Sequence, residues 1–274
     1  MGGLFFDELI LGSFILKLFP LLCISFFYVN NPKFKKPILF LLAMAYFLVL
    51  LSGERAAFIL INIFLFFSIF GIFKIKNFFL TVTGIFLIVL LLVQNNERLK
   101  DRYYDQFIIH LVYDNVANPP SAKRKIIIFP EYSVLFKISQ NMFLDNILFG
   151  KGLKTFRALC FKKEFRKNIY KVTKKRLFSN YSGCTTHTHN YYLQILSETG
   201  LIGFSFVFYF IIVLSKKYYQ AIKNKNKINI LITSGLIANL WPLTTTGSFF
   251  NNWVSMTIFF LVAFYIYFYK NENI

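Results

Sequence analysis

Long, nearly charge-free apolar runs constrain this chain more than any other feature. They occupy residues 14–29, 37–51, 56–73, 78–93, 201–214, 228–244 and 253–269. Each has roughly the 15 to 20 residues that a bilayer core demands of a helix. Apart from closed β-barrels, only helices satisfy every backbone hydrogen bond inside lipid, and runs this long and continuous are helical. The expected fold class is therefore an all-α polytopic membrane protein with about seven transmembrane helices. Composition agrees, since 56% of the 274 residues are hydrophobic and 20% are aromatic, outside the usual range of soluble domains.

The spans divide the chain into first transmembrane helices at 1–93, a large loop at 94–200 and last transmembrane helices at 201–274. Formal net charge is +19, which in a soluble protein would raise the question of nucleic acid. Here the charge follows the membrane, and no nucleic-acid partner is expected. Lys33, Lys35 and Lys36, then Lys74 and Lys76, then Lys216, Lys217, Lys223, Lys225 and Lys227, and finally Lys270 all fall on one face if the spans alternate. The positive-inside rule makes that face cytoplasmic. Residues 52–55, the large loop and residues 243–252 then share the outer face, and so does Met1. The first residues carry Asp7 and Glu8 rather than the basic start of a signal peptide, so no segment is treated as cleaved.

The loop contains more than half of the chain's 31 Lys and Arg residues. Long loops are exempt from the positive-inside count, so this basicity fits membrane-lipid headgroups. Inside it, residues 131–145 read as a helix, because Val134, Leu135, Ile138 and Met142 recur at helical spacing after Pro130, which suits a first turn. "NILFGKGLKTF" follows, with two glycines around Lys151. It reads either as a plain turn or as one whose free N–H groups meet an anion. Residues 189–199 are again helical. Tyr192, Leu193 and Leu196 form one stripe, and Asn190, Gln194, Ser197 and Glu198 another, so the segment should lie on the membrane surface before Gly200 and Gly203 turn it into the next span.

His189, in the first turn of that helix, has two readings. It is a general base kept neutral by the positive helix end, or a packing or capping histidine. Cys184, His187 and His189 form C-x2-H-x-H, a metal set without an evident fourth ligand or a pair of ordinary loop residues beside His189. Cys160 and Cys184 share the loop and are able to form one disulfide. Arg55, at the outer end of a span in "LLSGERAAFIL", either snorkels to headgroups or pairs with Glu54, or else faces inward as a functional group. Its guanidinium fork suits phosphate oxygens.

"LLSGERAAFILI", "MFLDNILFGKGLKTF" and "HNYYLQILSETGLIGF" stand in the order and spacing found in bacterial O-antigen ligases and O-antigen polymerases. Residues 37–269 resemble the C-terminal two-thirds of such a protein, so the chain reads as an N-terminally shortened member. The resemblance implies a metal-independent membrane glycosyltransferase of the GT-C type, with no cofactor. It takes a glycan from an undecaprenyl-pyrophosphate donor and moves it to a hydroxyl acceptor, either lipid A-core or another lipid-linked glycan. Carried onto this sequence, it puts Arg55 and His189 in the catalytic site, with Arg55 on the donor pyrophosphate. Arg124 and Lys151 are further candidates for the pyrophosphate, and Asn190 and Glu198 are supports. Where the family tends to have an arginine near the start of the loop helix, this chain reads "PEYS", which leaves Arg124 as the substitute. The rival reading is a non-enzymatic polyprenyl-lipid transporter or flippase-like protein. The near absence of charge within the spans argues against it.

The topology has a direct test. A cysteine placed at Asn118 should react with a membrane-impermeant thiol reagent outside intact spheroplasts, and one at Lys225 should not. Labelling at Lys225 alone would mean the opposite orientation.

Overall fold

The computed structural model describes residues 10–105, 130–167 and 184–271. They fall into two compact units. The first contains residues 10–103, 211–244 and 256–271, and the second contains 104–105, 130–167, 184–210 and 245–255. No strand occurs among the described residues.

The first unit opens with four consecutive helices. They are α1 (Leu11–Tyr28), α2 (Pro32–Ser52), α3 (Arg55–Ile72) and α4 (Ile75–Gln94), each long and apolar enough to cross a bilayer. A short helix, α5 (Glu97–Lys100), and a π turn at Asp101–Asp105 follow. α1 packs against α2, α3 and the later helix α9 (Lys227–Asn239, numbered here in chain order). Leu16, Phe19, Leu50, Ile61, Phe64 and Ile232 are buried between them, and Phe19 meets Phe64 edge to face with ring centroids 5.7 Å apart. α4 behaves differently. Phe78 is its one buried residue, so the rest of its apolar surface is left for lipid.

Glu54 ties this bundle together at one end. It is the N-cap residue of α3 and is buried, 8% exposed. Its carboxylate accepts N–H bonds from Gly12 at 2.6 Å and Ser13 at 3.0 Å, and a bond from the Ser13 hydroxyl at 2.6 Å. These are orphan donors of the first turn of α1, and a helix N-terminus favours an anion. Gly12 permits the approach. A Cβ there would lie 2.6 Å from Ser52 Oγ and 3.2 Å from Ala57 Cβ. Sequence reasoning offered Glu54 as a partner for Arg55, whereas the fold directs it to another helix.

The later membrane helices depart in part from the expected seven. The second unit supplies α6 (Pro130–Asp145), the single-turn α7 (Phe156–Leu159) and a 3-10 turn at Lys163–Arg166. Helix α8 (Tyr191–Lys223) is long enough to span. The run at 228–244 becomes α9, only 13 residues long, or about 20 Å against a hydrocarbon core of about 30 Å. Pro242 explains its early end, because the residue before a proline is pushed out of the helical region. α9 is buried on nearly every side, Ile230 through Leu236 being covered throughout. The last helix, α10, runs Asn252–Asn271 and is apolar over Asn252–Phe268.

The core of the second unit is the apolar stripe of α6 closed by the turns that follow it. Val134, Leu135, Ile138 and Met142 pack with Phe156, Cys160 and Phe165, as the helical spacing in the sequence predicts. A disulfide joins Cys160 to Cys184 with Cα atoms 5.4 Å apart. It ties the residues just before the histidines to this core.

Removing the Glu54 carboxylate leaves three donors of α1 without their acceptor. Glu54→Ala should destabilise the protein by about 2 kcal/mol, from the loss of hydrogen bonds to a charged group, and Gly12→Val should destabilise it by steric conflict. Thermal unfolding in detergent checks both. A melting temperature unchanged in Glu54→Ala would refute the capping role.

Candidate active site

The site is built on a break in α8. Gly200 has φ +65° and ψ −162°, which interrupts the helix, a conformation open essentially only to glycine. The segment 191–199 precedes the break and the apolar segment 201–223 follows it, as the glycines in the sequence suggest. A break leaves carbonyls orphaned on one side and N–H groups on the other. The chain at 147–152 satisfies both. Lys151 N–H donates to Ser197 O at 3.0 Å and Gly152 N–H to Glu198 O at 2.9 Å, while Leu201 and Ile202 N–H donate to Ile147 O at 2.8 Å and Leu148 O at 3.2 Å. Two backbones cross here at a distance only glycine allows. A Cβ on Gly150 would lie 2.5 Å from the Glu198 carbonyl carbon, and one on Gly200 would run into Leu148 O.

This geometry decides between the two readings of the glycine-lysine-glycine turn. Its Lys151 and Gly152 N–H groups are consumed by the end of a helix and are not free for an external anion. The anion that the following residues do meet is Glu198, whose carboxylate accepts N–H bonds from Lys154 at 2.8 Å and Phe156 at 3.2 Å. The Lys151 ammonium pairs with Asp145. The polar stripe of 191–199 is thus buried, with Gln194 and Glu198 each 1% exposed and Ser197 0%. Tyr192, Leu193 and Leu196 are the more open stripe. The segment presents its apolar side outward and its polar side to protein.

His189 lies outside the helix, not in its first turn. Asn190 is the cap, its side-chain oxygen accepting from Tyr192 N–H and Leu193 N–H, both at 3.1 Å, as asparagine does at an N-cap. His189 stands one residue earlier at φ +56°, a left-handed conformation uncommon for a non-glycine residue and often found at functional positions. It is held from both sides. Its carbonyl accepts from Thr246 N–H at 2.9 Å, and the buried Thr188 hydroxyl donates to Asn190 O at 2.8 Å.

The imidazole of His189 sits between Tyr132, at 5.2 Å, and His187, at 4.2 Å, measured between ring centroids. Burial, and after it the charge of His187, pushes its pKa down to about 4. The cause differs from the helix dipole that the sequence suggests, but the consequence is the same: a neutral ring at neutral pH. Among the described residues neither ring nitrogen of His189 has a hydrogen-bond partner. His187 is the opposite case. Its Nε2 lies 3.3 Å from Thr246 O and its Nδ1 2.9 Å from Thr186 Oγ1, so the neutral tautomer consistent with both donates from Nε2 and accepts at Nδ1. Burial lowers its pKa as well, opposed by the bond to Thr246. His187 therefore holds the loop in place and is no bystander. Cys184, taken up in the disulfide, is not a thiolate ligand.

Residues 245–251 complete the site without any signal in the sequence. Thr246 bonds both histidine residues. Gln194 Nε2 donates to Ser248 Oγ at 3.0 Å and its Oε1 accepts from Phe249 N–H at 2.9 Å. Tyr191 and Phe249 meet edge to face at 5.5 Å. A threonine-rich connection between two apolar runs gives no reason to single out Thr246, and the helical spacing of α6 does not mark Tyr132.

Arg55 belongs to the first unit, as the first residue of α3, and is half-buried. Around it, Arg102 Nε donates to Gly53 O at 2.9 Å and the Tyr103 hydroxyl donates to Leu50 O at 2.9 Å. Arg55, Arg102 and Glu54 are all close enough to act electrostatically on that phenol. Among the described loop arginines, Arg102 is the one that acts with Arg55 on that phenol. Arg124 lies outside the described residues.

Taken together, the fold and these clusters define a multi-pass α-helical membrane protein carrying a histidine-bearing unit in its largest loop. Residues 38–208, more than half of the chain, match the family described as O-antigen ligase. The chain belongs to the O-antigen ligase family, and is an O-antigen ligase/polymerase-type membrane enzyme of polysaccharide biosynthesis. Comparison with curated proteins and with solved structures finds no match.

The crossing at Gly150 and Gly200 generates a test. Glu198→Ala removes the acceptor of two backbone donors and should cost about 2 kcal/mol, and Gly200→Ala should be worse because its Cβ meets backbone. Limited proteolysis of the purified protein should cut both variants within 145–160 faster than wild type. Equal cutting would show that the turn holds without them.

Proposed function

We propose that the protein transfers a glycan from undecaprenyl pyrophosphate to a hydroxyl of lipid A-core or of a growing lipid-linked glycan, at the periplasmic face of the inner membrane. The observation that carries this reading is His189. It is a neutral, half-buried imidazole whose nitrogens have no hydrogen-bond partner among the described residues, held in a left-handed conformation, in a chain that belongs to the O-antigen ligase family. Such a ring is suited to receive a proton in the transition state.

The acceptor hydroxyl gives its proton to His189 as its oxygen bonds to the anomeric carbon of the donor sugar. The bond from that carbon to the pyrophosphate oxygen breaks, and the pyrophosphate leaves with the electron pair. Arg55 binds the donor pyrophosphate and stabilises the charge that develops on it. A guanidinium offers two parallel bonds to phosphate oxygens, which no ammonium reproduces. Arg124 and Lys151 are further basic residues for the same anion. Asn190 and Glu198 support the site, Asn190 by capping the helix after His189 and Glu198 by anchoring the turn at 154–156. No metal is required, because guanidinium groups neutralise the leaving group.

The test is glycan length on a gel in a strain lacking its own enzyme. His189→Ala and Arg55→Ala should each lower transfer by about 10² or more, at equal protein abundance, and Arg55→Lys should rescue poorly. In purified protein the acid limb of kcat/KM should lie near pH 4, not at the ordinary imidazole value near 6.5, since a lowered pKa keeps the ring neutral further into acid. Normal glycan from His189→Ala would sink the mechanism.

A further inference from the structure

A histidine that serves as a general base commonly has its second nitrogen bonded to a carboxylate or a carbonyl, which sets the tautomer and aims the ring. His189 is held in another way. What meets its imidazole among the described residues is a pair of rings. His187 lies at 4.2 Å with an interplanar angle of 44°, and Tyr132 of α6 at 5.2 Å with 57°. Rotation about χ2 is broad for histidine, and rings packed this closely restrict it.

The closer ring, His187, is itself fixed by its neighbours. Its Nε2 donates to Thr246 O at 3.3 Å and its Nδ1 accepts from the Thr186 hydroxyl at 2.9 Å. Its carbonyl accepts from the Thr185 hydroxyl at 2.5 Å. Turning the ring over would exchange each bonded nitrogen for a carbon, so the bonds select one orientation. Thr246 also donates its N–H to His189 O at 2.9 Å. The ring of His187 and the backbone of His189 are thus anchored on the same residue. Between them Thr188, 0% exposed, closes the turn through its hydroxyl on Asn190 O at 2.8 Å. The left-handed backbone at His189, φ +56°, is the strained position of this turn, and the bonds on either side hold it there.

We propose that His187 is the positioning residue of His189: anchored through Thr246, its ring fixes the His189 imidazole in one orientation toward the acceptor hydroxyl, the task that a hydrogen-bonded carboxylate performs in other sites. The inference rests on the reading of His189 as the base and adds a role for the first histidine of the H-x-H pair. The titratable groups that face His189 among the described residues are His187 on its own loop and Tyr132 from α6. From residues 245–251, Thr246 meets it with a backbone N–H. The neighbour that orients the ring also keeps it neutral. Burial lowers the His189 pKa first, and the charge of His187 lowers it further. Imidazole accepts a proton only when neutral, so its acceptor form persists well into acid.

The chain has three histidines, few enough to follow singly. The full chain, labelled with isotopic histidine and held in detergent, is titrated by NMR, which reads the midpoint and the tautomer of each ring. His189→Ala assigns the signal, and glycan transfer is read on a gel at equal protein abundance. In the unaltered protein the His189 midpoint should lie at about 4. His187→Ala should raise it toward the ordinary value near 6.5 and mix the tautomers. Transfer should fall by about tenfold or more, as it does when a catalytic group is misplaced, and should fall further in mildly acidic than in neutral medium. His187→Phe keeps a ring and should recover most of the midpoint and the transfer. His187→Gln keeps a donor for Thr246 O without a ring and should recover neither. If His187→Ala fails to accumulate, the contrast between these two variants decides. Equal rescue by His187→Gln would mean that only the loop bond matters, and transfer lost with an unshifted His189 midpoint would mean a purely structural role. Either overturns the proposal, as would unchanged His189 signals in His187→Ala. Shifted signals in His187→Ala, beside normal transfer by His189→Ala, would leave the ring pairing standing and overturn the reading of His189 as the base.

Discussion

The second unit depends on how the break in α8 at Gly200 is satisfied. A glycine that stops a helix exposes carbonyls and N–H groups that low-dielectric surroundings do not tolerate unpaired. The segment at 147–152 supplies both sets of partners, and the Glu198 carboxylate then holds the next N–H groups at Lys154 and Phe156. The surface helix, the glycine turn and the start of the apolar span thus form one hydrogen-bonded body. Gln194 extends it to Ser248 and Phe249. The histidine loop is attached to this body at Asn190 and to the α6 core through Cys184.

Within that frame the environment of His189 follows from local chemistry. A cap at Asn190 starts the helix just after the imidazole, and the left-handed backbone at His189 turns the chain there. Thr246 bonds the residues on either side of Thr188, taking a hydrogen bond at its carbonyl and giving one from its N–H. Two neighbouring rings then cover part of His189, and the partial loss of solvent disfavours its charged form. The same residue at a fully solvated position would titrate near neutrality and carry charge in part of the population.

The first unit solves a comparable problem with a single carboxylate. Capping α1 directs the Glu54 carboxylate to the N–H groups of another helix, beside the residues Arg55 and Arg102. Gly53, at φ +76°, makes the turn that puts Ser52, Glu54 and Arg55 on successive positions between α2 and α3. The Ser-Gly-Glu-Arg stretch is therefore both a helix connection and the position of the basic cluster.

Much of this was legible in the amino-acid sequence because it depends on local pattern. Apolar runs of about the length a bilayer core demands specify membrane helices, the spacing of Val134, Leu135, Ile138 and Met142 specifies α6, and Gly200 marks the break. The order of Arg55, the glycine turn and His189 carried the family. Other features depend on contacts between residues far apart in the chain, and periodicity is silent about those. No local pattern says that Glu54 caps α1, that Glu198 anchors the turn after Gly152, that Thr246 bonds both histidines, or that Arg102 joins Arg55. Helix α9 shows the same limit from the other side: an apolar run reports what lipid or a core will accept, whereas its burial on all sides and its end before Pro242 depend on which neighbours the tertiary structure provides.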